Sequence, residues 1–201
     1  VRVTEFMAVN RTVLADQSGA FPDWIELQNS SATTIDLSGW ALTDDVKIAS
    51  LWKFPDGTSL PAGARLIVFA SGLSPAPTDE LHASFKLSGS AGGFLALTNP
   101  LGEIVQVFHD YPSQREDFSY GLTDGGLVRF FDQPTPGQLN GNGILGFVKD
   151  TKFSHDRGFY DQPFDLKISP DTDGAKIYYT IDGSKPSEQN GMLYANPITI
   201  F

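Results

Sequence analysis

The feature that most constrains this chain is a missing one: no stretch repeats its apolar residues at the 3.6-residue spacing of a helix. Apolar residues instead alternate with polar ones at a period of two, segment after segment, which is the pattern of half-buried strands. Residues 23–29, Asp-Trp-Ile-Glu-Leu-Gln-Asn, alternate cleanly, with Ile25 and Leu27 on one side and Trp24 and Glu26 on the other. Residues 1–9 put Val3, Met7 and Val9 on one face, and Glu5 interrupts it. Ile35 and Leu37 repeat the pattern, and residues 65–70 set Leu66 and Val68 against Ile67 and Phe69. Residues 94–97 and 103–108 predict a hairpin over Asn99-Pro100-Leu101-Gly102, with Pro second and Gly fourth as a type I turn prefers. Phe54-Pro55-Asp56-Gly57 and Leu60-Pro61-Ala62-Gly63 read as further turns. A short helical turn fits residues 79–82, and no heptads occur. The expected fold class is all-β.

A stretch poor in core-forming side chains and rich in turn formers divides the chain. It holds Pro134-Thr135-Pro136-Gly137 and Asn140-Gly141-Asn142-Gly143. The expected organisation is a first module over 1–140, a linker over 141–147 and a second module over 148–201. In the second, Phe164, Leu166 and Ile168 share one face, and Ile177, Tyr179 and Ile181 another, before an Asp182-Gly183 turn. At about 55 residues it falls short of the roughly 100 of a full immunoglobulin-like sandwich. It stops inside an apparent strand at 198–201, which leaves an unpaired edge, so the natural protein is expected to continue past Phe201. With Val1 at the start and no signal peptide in view, the sequence reads as a mature fragment or a trimmed piece. A 40% hydrophobic share is enough to build cores, and 19% charged residues is too few for a disordered chain.

Three stretches of the first module resemble the lamin tail domain. They are residues 23–29, residues 36–45 (Asp-Leu-Ser-Gly-Trp-Ala-Leu-Thr-Asp-Asp), and Trp52-Lys53-Phe54-Pro55 followed by Leu60-Pro61-Ala62-Gly63. Their order and spacing agree with bacterial members, and the likeness runs from about Val1 to Asn140. It implies an immunoglobulin-like β-sandwich. Trp24 and Trp40 are large anchors of the kind a two-sheet core needs, and Gly39 suits the bend before Trp40. Glu26, set between Ile25 and Leu27, is expected to face solvent or to cap a backbone amide. The second module resembles the chitobiase/β-hexosaminidase carboxy-terminal domain, a fibronectin-type-III-associated module. The residues that carry this are Phe164-Asp165-Leu166 and residues 177–187, Ile-Tyr-Tyr-Thr-Ile-Asp-Gly-Ser-Lys-Pro-Ser. That likeness implies a small, truncated β-sandwich of the sort appended to larger, often carbohydrate-active proteins. The pairing of the two implies a bacterial protein with a kinase-like domain, similar to spore-coat protein H, beyond Phe201. The nuclear lamins' rod and basic flanks are missing, which argues against a filament or chromatin role.

A net charge of −10 with no basic run repels phosphate backbones, so nucleic acid is not an expected partner. No apolar run approaches the roughly 20 residues that span a bilayer, so membrane insertion is not expected. The absence of cysteine removes disulfides and thiolate-bound metals. His82, His109 and His155 stand in no metal-ligand spacing, and no nucleophile elbow or phosphate loop occurs. The chain is therefore expected not to be an enzyme. Calcium is the one cofactor with candidate ligands: Asp16, Asp23 and Glu26 around one loop, and Asp44 with Asp45 after a strand. The competing reading of each is a solvated Asx turn. Asp171-Thr172-Asp173-Gly174 is read as a turn. Tyr160 and Tyr178 are candidate ligand residues, as sugar-stacking platforms, with Tyr111, Tyr120 and Phe159 as further aromatics and rim packing as the alternative. Asn10-Arg11-Thr12 and Asn29-Ser30-Ser31 match the glycosylation sequon, coincidentally in a bacterial protein. The expected function is a non-catalytic binding or scaffold module at the bacterial cell surface or outside it. Its partners would be protein or glycan, or neighbouring domains of the same chain. The alternative is a carbohydrate-binding accessory.

Overall fold

Seventeen strands account for the regular structure in a computed structural model that describes residues 1–74, 76 and 79–201. Among the described residues there is no helix, so the all-β expectation holds and nothing is long and apolar enough to cross a membrane as a helix. The helical turn expected at 79–82 is absent. Residues 79 and 80 form bends, and His82 bridges to Phe69. The chain divides into two compact units, Val1–Leu145 and Gly146–Phe201.

The first unit contains β1 (Arg2–Met7), β2 (Asp23–Gln28), β3 (Ile35–Asp36), β4 (Ala41–Thr43), β5 (Trp52–Lys53) and β6 (Ser59–Leu60). It continues with β7 (Arg65–Ala70), β8 (Gly93–Thr98), β9 (Ile104–Tyr111), β10 (Ser119–Leu122) and β11 (Val128–Phe131). One sheet runs β11-β10-β1-β2-β7, a second runs β5-β4-β8-β9, and β3 pairs with β6. The strands of both sheets pair antiparallel, so each strand can bury one face and wet the other. The inner faces meet in a core that joins Val3, Phe6, Ile25, Leu27 and Val68 of the first sheet to Leu42, Leu95, Leu97 and Phe108 of the second. Phe6 sits at its centre, with its ring 5.2 Å from Phe108 and 5.0 Å from Tyr111.

The register of β1 departs from simple alternation. Val3 faces Leu27 but Glu5 faces Glu26, so Thr4 is an extra residue, a β-bulge. The bulge turns Phe6 inward and puts Glu5 and Met7 on the outer face. Val3 and Met7, expected on one face, therefore lie on opposite ones. Met7 packs with Trp24 and Phe69 in a separate small core on that outer face. Trp24 thus anchors loops over the sheet rather than the space between the sheets, while Trp40 packs partly buried against the main core. The expected hairpin is present: the Gly102 N–H donates to Asn99 O at 2.9 Å, and Gly102 takes φ +78°. Beyond β11, Phe130 and Ile144 exchange both backbone hydrogen bonds, at 3.0 and 2.7 Å. That bridge carries the first unit past Asn140, where the sequence placed its end.

The second unit contains β12 (Thr151–Phe153), β13 (Phe164–Leu166), β14 (Ile168–Pro170), β15 (Tyr178–Tyr179), β16 (Met192–Leu193) and β17 (Ile198–Ile200). They form three two-stranded ribbons, β12-β14, β13-β17 and β15-β16. The single strand face expected for Phe164, Leu166 and Ile168 is split at Lys167, because β13 and β14 pair with different partners. Ile168 is the one apolar side chain of this unit that is buried.

Candidate functional site

The outer face of the first unit's larger sheet buries two carboxylates side by side. Glu5 and Glu26 are cross-strand partners and neither has any exposed surface. Arg65, at the start of β7, forms an ion pair with Glu26 through Nη1 and Oε1. The Thr4 hydroxyl donates to the same Oε1 at 2.5 Å. Over both carboxylates lies the segment 134–140. Its Gly137 N–H donates to Glu26 Oε2 at 2.6 Å, and its Thr135 N–H donates to Glu5 Oε1 at 3.1 Å. Gly137 stands at φ +81°, a conformation that glycine reaches without a Cβ penalty. The Ser119 hydroxyl of β10 donates to Glu5 Oε1 as well. Asn140 fastens the far end, its amide Nδ2 donating to Thr4 O at 3.0 Å and Leu122 O at 2.8 Å. Burial pushes the Glu5 carboxyl above its ordinary value. The Ser119 and Thr135 hydrogen bonds oppose that, and the Glu26 charge adds to it.

Glu26 therefore does cap a backbone amide, but it is sealed from solvent. Its position also separates it from the other two carboxylates of its expected calcium set. Asp16 and Asp23 share a cleft with Ser18, Phe21, Ser71 and Lys86. Asp16 Oδ1 accepts the Ser18 N–H, the Ser18 hydroxyl and the Ala20 N–H at 2.9, 2.6 and 3.0 Å, the geometry of an Asx turn. Burial works to raise its pKa, and those hydrogen bonds outweigh it and hold the carboxyl below its ordinary range. Asp23 Oδ2 accepts the Leu87 N–H at 3.1 Å. Burial pushes Asp23 up to about 7, against the pull of that bond and of the Lys86 charge. Asp44 and Asp45 line a different cleft with His109, Asp110, Phe94 and Leu51. Burial raises Asp44, and Asp45 Oδ1 accepts the Lys47 N–H at 2.8 Å. Among the described residues no three His, Cys, Asp or Glu side chains converge as metal ligands.

The aromatic candidates separate. Tyr111 is core, its hydroxyl accepting the Ser88 N–H at 3.0 Å, and burial pushes it up to about 12. Tyr120 packs against Phe6 and Phe130. In the second unit, Tyr160 lines an apolar groove with Phe153, His155, Arg157, Phe164 and Ile200. Its ring centre lies 4.5 Å from that of Phe164, which lies 4.1 Å from that of His155. Tyr178 lines a different groove beside Ile177 and Tyr179, and its hydroxyl donates to Glu188 Oε1 at 3.2 Å. Phe159 is fully exposed.

Both sequon asparagines are buried. Asn29 Nδ2 donates to Thr33 O and Leu60 O at 2.7 and 2.8 Å. Asn10 Nδ2 donates to Leu14 O and Pro22 O at 2.6 and 2.7 Å. With Asn140 they form a set of three buried amides: Asn10 ties together parts of the segment between β1 and β2, Asn29 bonds to β6, and Asn140 bonds to β1 and β10. Sequence reasoning missed Arg65, Ser119, Thr135 and Gly137 as partners of the carboxylates, and Asn140 as the residue that fastens the covering segment. The only sign was the hydrogen-bonding residues, Thr, Gly and Asn, within a stretch that read as a boundary.

A sandwich whose interior carboxylates and asparagines hold strands and loops in place is an immunoglobulin-like β module. A family model described as Lamin Tail Domain matches residues 1–112, more than half of the chain, and the chain belongs to that family. A second model, described as Fn3 associated, matches residues 160–201. Both describe accessory modules rather than catalytic families. No curated protein matches the chain. The lamin-tail match stops before β10, although β10 hydrogen-bonds to β1 in the middle of the first unit's larger sheet.

Proposed function

We propose that this chain is a non-catalytic binding and scaffold module that works outside the bacterial cell or on its surface, where it presents or positions a neighbouring domain of the same protein. The observation that carries this reading is how the polar interior is used. Glu5, Glu26 and Arg65, which in a cleft would be candidate catalytic groups, are closed over by residues 134–140 and occupied with backbone amides and with each other. Function is argued from a site rather than a fold, and this site holds the sandwich together. The pairing of a lamin tail domain with an Fn3-associated segment supports the same reading, since both are accessory modules. The test uses labelled chain on intact bacterial cells. Binding that survives glycosidase treatment and disappears after surface proteolysis is the expected result. Turnover of a glycoside or phosphoryl substrate by the purified chain overturns the proposal.

A second reading, a carbohydrate-binding accessory, draws on the groove around Tyr160. Its aromatic walls carry a few polar groups, Asp156, Arg157 and His155, which is the mixture that small-ligand sites use. A glycan array on which the wild-type chain binds and the Tyr160→Ala chain does not would favour it. A blank array removes it.

A further inference from the structure

The hydrogen-bond partners around Glu5 fix where a proton must be. Two carboxylates are buried together, and the cation that neutralises one of them, Arg65, is bound to Glu26. A second buried negative charge without a counter-ion is costly enough that such a group takes up a proton instead. The arrangement of donors shows which oxygen carries it. Asn140 Nδ2 is committed to Thr4 O and Leu122 O, so Asn140 Oδ1 faces Thr135 Oγ1 at 2.9 Å as an acceptor only. The Thr135 hydroxyl has one hydrogen, and Asn140 Oδ1 takes it. Glu5 Oε2 lies 3.3 Å from the same Thr135 oxygen. With the hydroxyl hydrogen already placed, that contact is a hydrogen bond only if Oε2 supplies the hydrogen. Glu5 Oε1 meanwhile receives the Ser119 hydroxyl and the Thr135 N–H, as the carbonyl oxygen of a neutral acid does.

We propose that Glu5 is a neutral carboxylic acid at neutral pH, and that its proton closes a chain from Glu5 Oε2–H to Thr135 Oγ1–H to Asn140 Oδ1 that latches the segment 134–140 onto β1. The groups that set its charge are Glu26 across the strand pair, Arg65 bound to Glu26, the hydroxyls of Ser119 and Thr135, and the Thr135 amide. Burial and the Glu26 charge act in the same direction as this assignment. The sign follows: a carboxyl raised in the folded state stabilises the closed latch while it is protonated, and the hold is lost as pH rises through its folded pKa. The latch therefore loosens towards alkaline pH, opposite to the usual acid release of a paired carboxylate.

The test uses the full 201-residue chain. The carboxyl ¹³C shift of Glu5 in the wild-type protein, followed against pH, is expected to read as protonated at pH 7; an ionised shift there overturns the assignment and needs no variant. Hydrogen exchange of the Thr135 and Gly137 amides, corrected for intrinsic rates, adds the mechanical readout. Glu5→Gln copies the neutral acid, with its amide N–H donating to Thr135 Oγ1. Protection at these two amides is expected to fall as pH rises in the wild type and to stay flat in Glu5→Gln. Parallel curves for the two proteins, or protection that grows with pH in the wild type, overturn the latch.

Discussion

Removing Arg65 leaves the buried Glu26 carboxyl without its counter-ion in a site closed to water. Breaking a buried pair from one side typically costs about 3–5 kcal/mol, because the surviving charge stays desolvated. Urea unfolding of Arg65→Met is therefore expected to show a loss of that size, while the same change at the exposed Arg11, whose ion pair with Glu116 spans 3.9 Å, should lie within about 1 kcal/mol of wild type. Asp23 predicts the reverse effect. Its folded pKa is raised to about 7, so its contribution to stability is complete below the ordinary carboxylate value of 3.8 and declines as pH rises to about 7. Asp23→Asn keeps an acceptor for the Leu87 N–H and removes the charge. Its unfolding free energy should draw level with wild type near pH 4 and exceed it at pH 8, by about 1–2 kcal/mol once partial solvent contact and Lys86 are discounted. Glu26 shows what sequence can tell at this scale. Alternation put it on the face opposite Ile25 and Leu27, correctly. What covers that face comes from residues more than a hundred positions away, and no periodicity reports such a contact.

At the scale of elements, the β-bulge at Thr4 is the point on which the site turns. It rotates β1 so that Glu5 meets Glu26, and it needs room. Gly121 on β10 provides that room, because a Cβ there would come within 2.2 Å of Thr4 O and 2.7 Å of Glu5 Cα. Both are main-chain atoms and cannot swing aside. Gly121→Ala is expected to force β10 from β1, costing about 1–3 kcal/mol as overpacking does, and to raise exchange at the Ser119 and Tyr120 amides. Strands with clean alternation, β2 and β7, were legible in the sequence, and so was the β8–β9 hairpin through its Pro and Gly. The bulge was not, because an inserted residue looks like an ordinary member of the alternating run until its partner strand is known. The β10–β11 hairpin escaped too: Ser119-Tyr120-Gly121-Leu122 offers too few apolar residues to stand out.

At the scale of the whole molecule, the two units differ sharply in how much they bury. Val1–Leu145 has an inter-sheet core reinforced by the Met7, Trp24 and Phe69 cluster, whereas Ile168 alone is buried and apolar in Gly146–Phe201. Calorimetry of the chain should show two transitions, and a fragment ending at Leu145 should retain the upper one. A single transition that the fragment lacks would count against independent folding. The buried asparagines carry a consequence for making the protein. An oligosaccharyltransferase needs a free side-chain amide, and in the folded chain both amide hydrogens of Asn10 and of Asn29 are engaged with backbone carbonyls. Only the nascent, unfolded polypeptide presents those sequons. In a eukaryotic secretory host, sugar transfer and folding would race for the same two nitrogen atoms. A chain that loses the race would carry a glycan where its fold needs a stitch.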